Sequence, residues 1–333
     1  MTGGIYLAAY LAPLQPWLER DDITDIWINR PGEAWFETTT GEIRREVAPD
    51  LTETALSRLA RQIAAASHQG VNREQPLLSA SLPDGARVQI VGPPATRGPL
   101  ALAVRKHTLS DLSLAELGRT GAFAAATAGT SGGDAELQAL LDAGEVEAFL
   151  RLAVRLRKTI VLSGGTSSGK TTLLNALVKE IDRRERLILI EDAPEIRLEH
   201  ENAVGLIAAR GDAGEARVDS EDLLQAALRM RPDRILLGEL RGREAFAFLR
   251  AVNTGHPGSI TTLHADSPEG AVDQIALLAL LGGVDLGWEA LRTYIRQVVD
   301  VIVQLKRVDG TRRVVEVSFR NRLVTPPQGV PRP

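Results

Sequence analysis

Over the first third of the chain, apolar and polar residues alternate in short runs. DIWINRPGEAWFE and GEIRREV predict short strands joined by Pro-Gly and Thr-Gly turns. From Leu51, TETALSRLARQIAAAS spaces its apolar residues at the helical interval and stops at Gly70. ARVQIV and LALAVRKH predict two further strands around the turn PPATRGP. Between Ile23 and His107 these elements make a small α+β unit.

The pattern then changes twice. From Gly118 to Glu136, GRTGAFAAATAGTSGGDAE holds almost no large apolar residue and has the composition of a linker. Beyond it ELQALLDAGEVEAFLRLAVRLRK predicts a helix, after which strands and helices alternate. TIVLSGG, LILIED, AVGLIAA, RILLGEL and SITTLHA are the strands, with helices from Gly169, Ser220, Arg243 and Pro268. Short apolar strands between amphipathic helices call for a sheet covered on both faces, an α/β fold. The tail from Leu305 predicts a hairpin about Asp309-Gly310 and then a Pro-rich end. The expected division is an N-terminal α+β domain over 1–117, a flexible linker over 118–136 and an α/β domain over 137–333.

Composition narrows the classes of function. A chain of 333 residues, 44% hydrophobic and 25% charged, can bury two cores. A net charge of −4 and 4% aromatic content argue against stable nucleic-acid binding. There is no cysteine, so neither a disulfide framework nor a cysteine zinc site is available. The apolar stretch from Ile5 is short for a bilayer span and is broken by Pro13 and Pro16. It also lacks the basic start and cleavage site of a signal peptide, so a cytoplasmic location is expected.

GGTSSGKTT carries the first chemistry. Gly164, Gly169, Lys170 and Thr171 satisfy G-x-x-x-x-G-K-[ST] between a predicted strand and a predicted helix. Glycines let backbone N–H groups turn inward, and a helix N-terminus adds its positive dipole end. The segment Gly164, Gly165, Thr166, Ser167, Ser168, Gly169, Lys170, Thr171 and Thr172 is thus an expected phosphate cradle for ATP. Lys170 is placed on the β- and γ-phosphates, and the Thr171 hydroxyl on Mg²⁺.

Hydrolysis further requires a held metal, an oriented water and positive charge on the transition state. Two apolar strands end in carboxylates that suit the first two needs. LILI runs into Glu191 and Asp192 with Glu195 just beyond, and RILLG runs into Glu239. Glu239 is assigned to the attacking water and also to the metal, with Glu191, Asp192 and Glu195 assisting Mg²⁺ and water placement. Exchanging those roles between the two groups leaves every spacing unchanged.

With these residues in view, LRMRPDRILLGELRGREA resembles the Walker B region of the type II/type IV secretion ATPases. EDAPE resembles their acidic box, and AVNTGHPGSITTLHADS their histidine box. Within that superfamily the likeness is greatest to the traffic ATPases of type IV secretion and conjugal transfer, and it extends to INRPG near Asn29 and RVQIV near Arg87. The resemblance implies a RecA-like P-loop domain preceded by a small N-terminal domain. It also implies a hexameric ring at the inner-membrane base of a secretion machine, with ATP hydrolysis driving substrate export or pilus assembly. Partners would then be identical subunits and inner-membrane components, with peripheral membrane association.

The same resemblance gives the histidines and arginines their expected roles. SITTL runs into His264 and His256 ends the preceding segment, so both are expected to face the terminal phosphate, with Thr261 and Thr262 beside them. In the resembled family the last strands of the small domain contribute arginines over the nucleotide, and Arg87 and Arg105 match those positions. Arg229, Arg231 and Arg241 are further candidates for contacts across a subunit boundary. Three alternatives remain: a type II secretion or pilus motor, a helicase-like nucleic-acid motor, and a nucleotide-binding regulator without turnover.

Overall fold

The computed structural model describes residues 3–106, 114, 119, 133–209, 215–319 and 322–324. The Pro-rich end and most of the expected linker lie outside these residues. The helix after the linker begins at Asp134.

Six strands build an antiparallel sheet in the order β3-β2-β1-β6-β5-β4. They are β1 (Ile23–Ile28), β2 (Gly32–Thr38), β3 (Ile43–Ala48), β4 (Leu77–Ser81), β5 (Arg87–Val91) and β6 (Ala101–Arg105). The helix Glu53–Ala66 starts where the Thr52 side chain accepts from the Ala55 N–H, and it buries Leu56, Leu59 and Ile63. Alternation along the strands sorts side chains between two environments. In β6, Leu102 and Val104 enter this sheet's own core, whereas Ala101 and Ala103 face the other half of the molecule together with Trp27.

The second sheet has the order β14-β13-β12-β7-β11-β10-β8-β9, parallel from β12 through β9. Its strands are β7 (Ile160–Gly164), β8 (Leu187–Glu191), β9 (Ala203–Ile207), β10 (Arg234–Leu237), β11 (Ile260–Leu263), β12 (Val301–Val308), β13 (Thr311–Phe319) and β14 (Arg322–Val324). Both faces of its centre are covered. Leu187 and Leu189 join the core under helices Val146–Arg155 and Lys170–Val178, while Ile188 and Ile190 join the one under helices Ser220–Leu228 and Glu244–Asn253. Continuous apolar runs such as LILI follow from this double burial.

Two expectations are corrected. The stretch read as one helix after the linker is two, Asp134–Asp142 and Val146–Arg155, separated at Gly144, whose φ of 76° ends a helix readily. The tail hairpin about Asp309-Gly310 is present, but its first arm starts at Val301 and lies parallel to β7 inside the main sheet.

The two halves meet along the β9 edge. The Arg97 N–H donates to Gly205 O at 2.8 Å, and the Ile207 N–H donates to Ala95 O at 2.9 Å. This turn of the first half thereby covers an otherwise open strand edge. The buried Arg186 guanidinium stacks on the Trp27 ring 4.7 Å from its centroid and donates to Asn29 and Asn202. Arg231 reaches across to Glu37 at 2.6 Å.

Candidate functional site

At the carboxyl ends of β7, β8, β10 and β11 opens a cavity of about 620 Å³. Crevices at strand carboxyl ends are where open α/β sheets bind ligands. Its floor is 166–172, the end of the loop after β7 and the first turn of helix Lys170–Val178. Close packing explains the glycines: a Cβ on Gly164 would stand 2.5 Å from Leu305 O, and Gly169 has a φ of 102°. Ser167 also takes positive φ, at 61°, a conformation that costs a non-glycine residue about 1 kcal/mol or more. The strain is tolerated where it shapes the cradle.

Lys170 is buried, and its Nζ donates to Gly164 O at 2.7 Å and Gly165 O at 3.0 Å. Burial pushes this ammonium below its ordinary pKa, an effect opposed by the Glu239 carboxylate and reinforced by Arg241. Thr171 Oγ1 donates to Glu195 Oε2 at 3.2 Å, which joins the loop to the acidic segment after β8.

The carboxylates face the loop from two strands. Arg241 ties them together, with Nη1 3.0 Å from Asp192 Oδ2 and Nη2 2.7 Å from Glu239 Oε2. The other Glu239 oxygen lies 3.1 Å from His264 Nε2. The exit of β10 is fixed by β11: Thr262 Oγ1 donates to Gly238 O at 2.7 Å, and the Leu240 N–H donates to Thr262 O at 2.9 Å. Glu239 and His264 are therefore set by adjacent parallel strands rather than by free loops.

Glu191 is differently engaged. It is buried at the cavity wall, where Oε1 accepts the N–H groups of Glu195 and Ile196 at 3.0 and 2.8 Å and Oε2 accepts from Arg97 Nη2. Its oxygens thus hold the loop bearing Glu195 and the seam residue Arg97.

The cavity brings together the segment 166–172 with Glu191, Asp192, Glu195, Glu239, Arg241 and His264. It does not bring in Arg87, Arg105 or His256. Arg87 and Arg105 are register partners on β5 and β6; both are exposed, and Arg105 Nε stands 4.0 Å from Asp25. His256 lies before β11, at the end of the strand opposite His264, with Nδ1 bonded to Ala251 O. Arg231 is engaged with Glu37 and Asp233. Two residues that sequence reasoning did not single out stand at the site, Arg97 behind Glu191 and Arg312 among the cavity's lining residues. Arg97 sits in a turn read only as a strand connection, and Arg312 in a hairpin given no chemistry.

Among the described residues no three of His, Asp and Glu form a ready cation cage. The oxygens of Thr171, Glu195, Asp192 and Glu239 are nonetheless of the hard class that suits Mg²⁺.

The family described as "Type II/IV secretion system protein" matches residues 8–326. The type IV secretion system protein PtlH homolog of Bordetella bronchiseptica is 43% identical over 328 residues, 95% of this chain and 96% of that protein. VirB11 of Brucella suis biovar 1 is 40% identical over 322 residues, covering 93% and 89%. Among solved structures, the crystal structure of the VirB11 ATPase from the Brucella suis type IV secretion system in complex with sulphate superposes with a TM-score of 0.89 at 38% identity, covering 95% of each chain.

Proposed function

The chain belongs to the type II/IV secretion system protein family, and from that premise we propose that it is the ATPase of a type IV secretion system, hydrolysing ATP with Mg²⁺ as a ring of identical subunits, six by resemblance. The observation that carries this reading is the convergence of Lys170 and Thr171 with the Glu239–His264 pair at the ends of neighbouring parallel strands.

The residues divide the work. Backbone N–H groups of the loop and the Lys170 ammonium receive the phosphates, and the desolvation that lowers the Lys170 pKa strengthens its attraction to them. Mg²⁺, when bound, neutralises developing charge on the phosphate oxygens. Thr171 would help to hold it, with Asp192, Glu195 and Glu239 as the carboxylates placed to assist. Glu239 orients the attacking water and accepts its proton, as ATP and water become ADP and phosphate. His264 fixes the rotamer of Glu239 and faces the terminal phosphate. Arg241 supplies positive charge beside both carboxylates.

Arg87 and Arg105 lie away from their own cavity, on an exposed strand end. We place them over the nucleotide of a neighbouring subunit, which makes the ring necessary for full turnover. No helix among the described residues is long and apolar enough to cross a membrane. We assign the ring to the cytoplasmic face of the inner membrane, held there by partner proteins. The relatives named above are type IV secretion proteins, which favours this reading over a type II secretion or pilus motor.

Phosphate release from Mg·ATP, measured on wild type and Glu239→Gln at several protein concentrations with mass determined in the same samples, tests it. Turnover that rises with assembly and is lost in the variant supports the motor. Absence of turnover in every oligomer refutes it and leaves a regulator.

A further inference from the structure

We infer that Arg312 is a nucleotide-binding residue, contacting the α- and β-phosphates of the nucleoside di- or triphosphate held by the phosphate loop. The inference rests on the nucleotide reading above and adds to it a cation from the C-terminal hairpin.

Register places the hairpin over the loop. β12 runs parallel to β7, and Leu305 pairs with Gly164, the last residue of that strand. The residues after Leu305 therefore project past the edge of the sheet and above the cradle. The chain returns through Asp309 and Gly310, both at positive φ, so that Arg312 lies directly opposite Arg307. The Arg312 stem crosses Gly169: a Cβ on that glycine would stand 3.1 Å from Arg312 Cδ. Arg312 also lines the same cavity as Lys170 and Thr171.

Charge points to an anion. Arg307 and Arg312 are a like-charged cross-strand pair on one face of the hairpin, an arrangement that disfavours it unless something negative is shared. Arg312 makes no hydrogen bond or ion pair with any described residue. A guanidinium whose donors meet no described partner, set against a phosphate-binding loop, matches phosphate oxygens bidentately.

Strand order selects which phosphates. Glu239 and His264 follow β10 and β11, which lie on one side of β7, whereas Arg312 comes from the β12 side. A nucleotide with its terminal phosphate toward Glu239 and His264 turns its α- and β-phosphates toward Arg312. The residue then serves ADP and ATP alike, unlike a group that reads the terminal phosphate.

Calorimetric titration of the full chain with Mg·ADP and with the non-hydrolysable analogue Mg·AMP-PNP tests this in wild type, Arg312→Ala, Arg312→Lys and Arg313→Ala, with melting in the absence of nucleotide as the folding control. Arg313 points to the opposite face of the hairpin from Arg312. The expected result is a loss of about tenfold in affinity for both nucleotides in Arg312→Ala. Arg312→Lys should recover part of it, and Arg313→Ala should bind as wild type does. Unchanged ADP affinity in Arg312→Ala overturns the inference. So does a loss confined to AMP-PNP, which moves the contact to the terminal phosphate, and so does an equal loss in Arg313→Ala, which reduces it to a diffuse field. Failure of wild type to bind ADP would refute the nucleotide reading itself, whereas wild-type binding with an unaffected Arg312→Ala refutes this inference alone.

Discussion

His264 Nε2 lies 3.1 Å from Glu239 Oε1, so the residue just after β11 holds the carboxylate that follows β10. Glu239→Gln keeps the shape of the side chain and removes its capacity to accept a proton. Turnover should fall by about 10² or more, with nucleotide affinity within about threefold of wild type. His264→Ala frees one Glu239 oxygen while leaving the loop intact, so it should lower turnover about tenfold or more without a matching loss of binding. Steady-state phosphate release with a parallel binding titration decides both. Normal turnover in His264→Ala would reduce the pair to a packing contact.

A second prediction concerns Arg97, whose guanidinium is partly exposed while its partner Glu191 is buried. Arg97→Ala leaves that carboxylate without its counter-charge and is expected to destabilise the fold by about 2 to 3 kcal/mol, below the range for fully buried pairs because solvent reaches the arginine. Glu191→Gln in the same chain removes the unpaired charge, so the double variant should cost less than the sum of the single ones. Urea midpoints of the four proteins measure the coupling. Strict additivity would show that the two side chains stabilise the seam independently.

The difference between these two sites shows what the sequence made legible. Lys170, Thr171 and Glu239 stand just past an apolar strand or on a loop of fixed spacing, and local pattern alone locates such positions. The covered sheet was legible for the same reason, since LILI and RILL are apolar on both faces. Arg97 acquires its role only because its turn docks on the β9 edge, a contact between residues far apart in the chain. Arg312 depends on the parallel pairing of β12 with β7, a non-local register that no hairpin signal contains. His256 and His264 look equivalent as a spaced pair, yet a short strand separates them and sends them to opposite ends of the sheet.

His200 and His256 supply a pH prediction. Burial disfavours the charged imidazolium of each and holds both pKa values below the ordinary 6.5, although each ring bonds a backbone carbonyl. Around His256, Arg231 and Arg157 add to the depression and Asp233 opposes it. The unfolded chain thus binds more protons than the folded one just below pH 6.5, so this stability is present above that value and is lost as pH falls. Asp25 and Glu37, raised chiefly by burial, act in the opposite sense in the carboxylate range. Because they are common to every variant, comparison of slopes cancels them. Urea midpoints of His256→Asn should fall less steeply than those of wild type between about pH 7 and 5.5. Equal slopes would show that His256 titrates alike in both states.

The last prediction concerns Arg87 and Arg105, which share one exposed strand end outside their own cavity. If they serve a neighbour's nucleotide, Arg105→Ala should lower turnover in the assembled ring while leaving nucleotide binding and the turnover of isolated subunits little changed. A mixing experiment then separates the two arrangements. Glu239→Gln subunits carry the arginine but lack the base, and Arg105→Ala subunits carry the base but lack the arginine. In rings mixed at random in equal amounts, about a quarter of the sites pair an intact base with an arginine from the next subunit. Activity should therefore reappear on mixing two nearly inactive proteins, in proportion to that fraction. An arginine acting within its own chain gives no such recovery, because no single subunit in the mixture holds both groups. The recovered activity should also disappear on dilution below the assembly concentration, since the composite site exists only where two subunits meet.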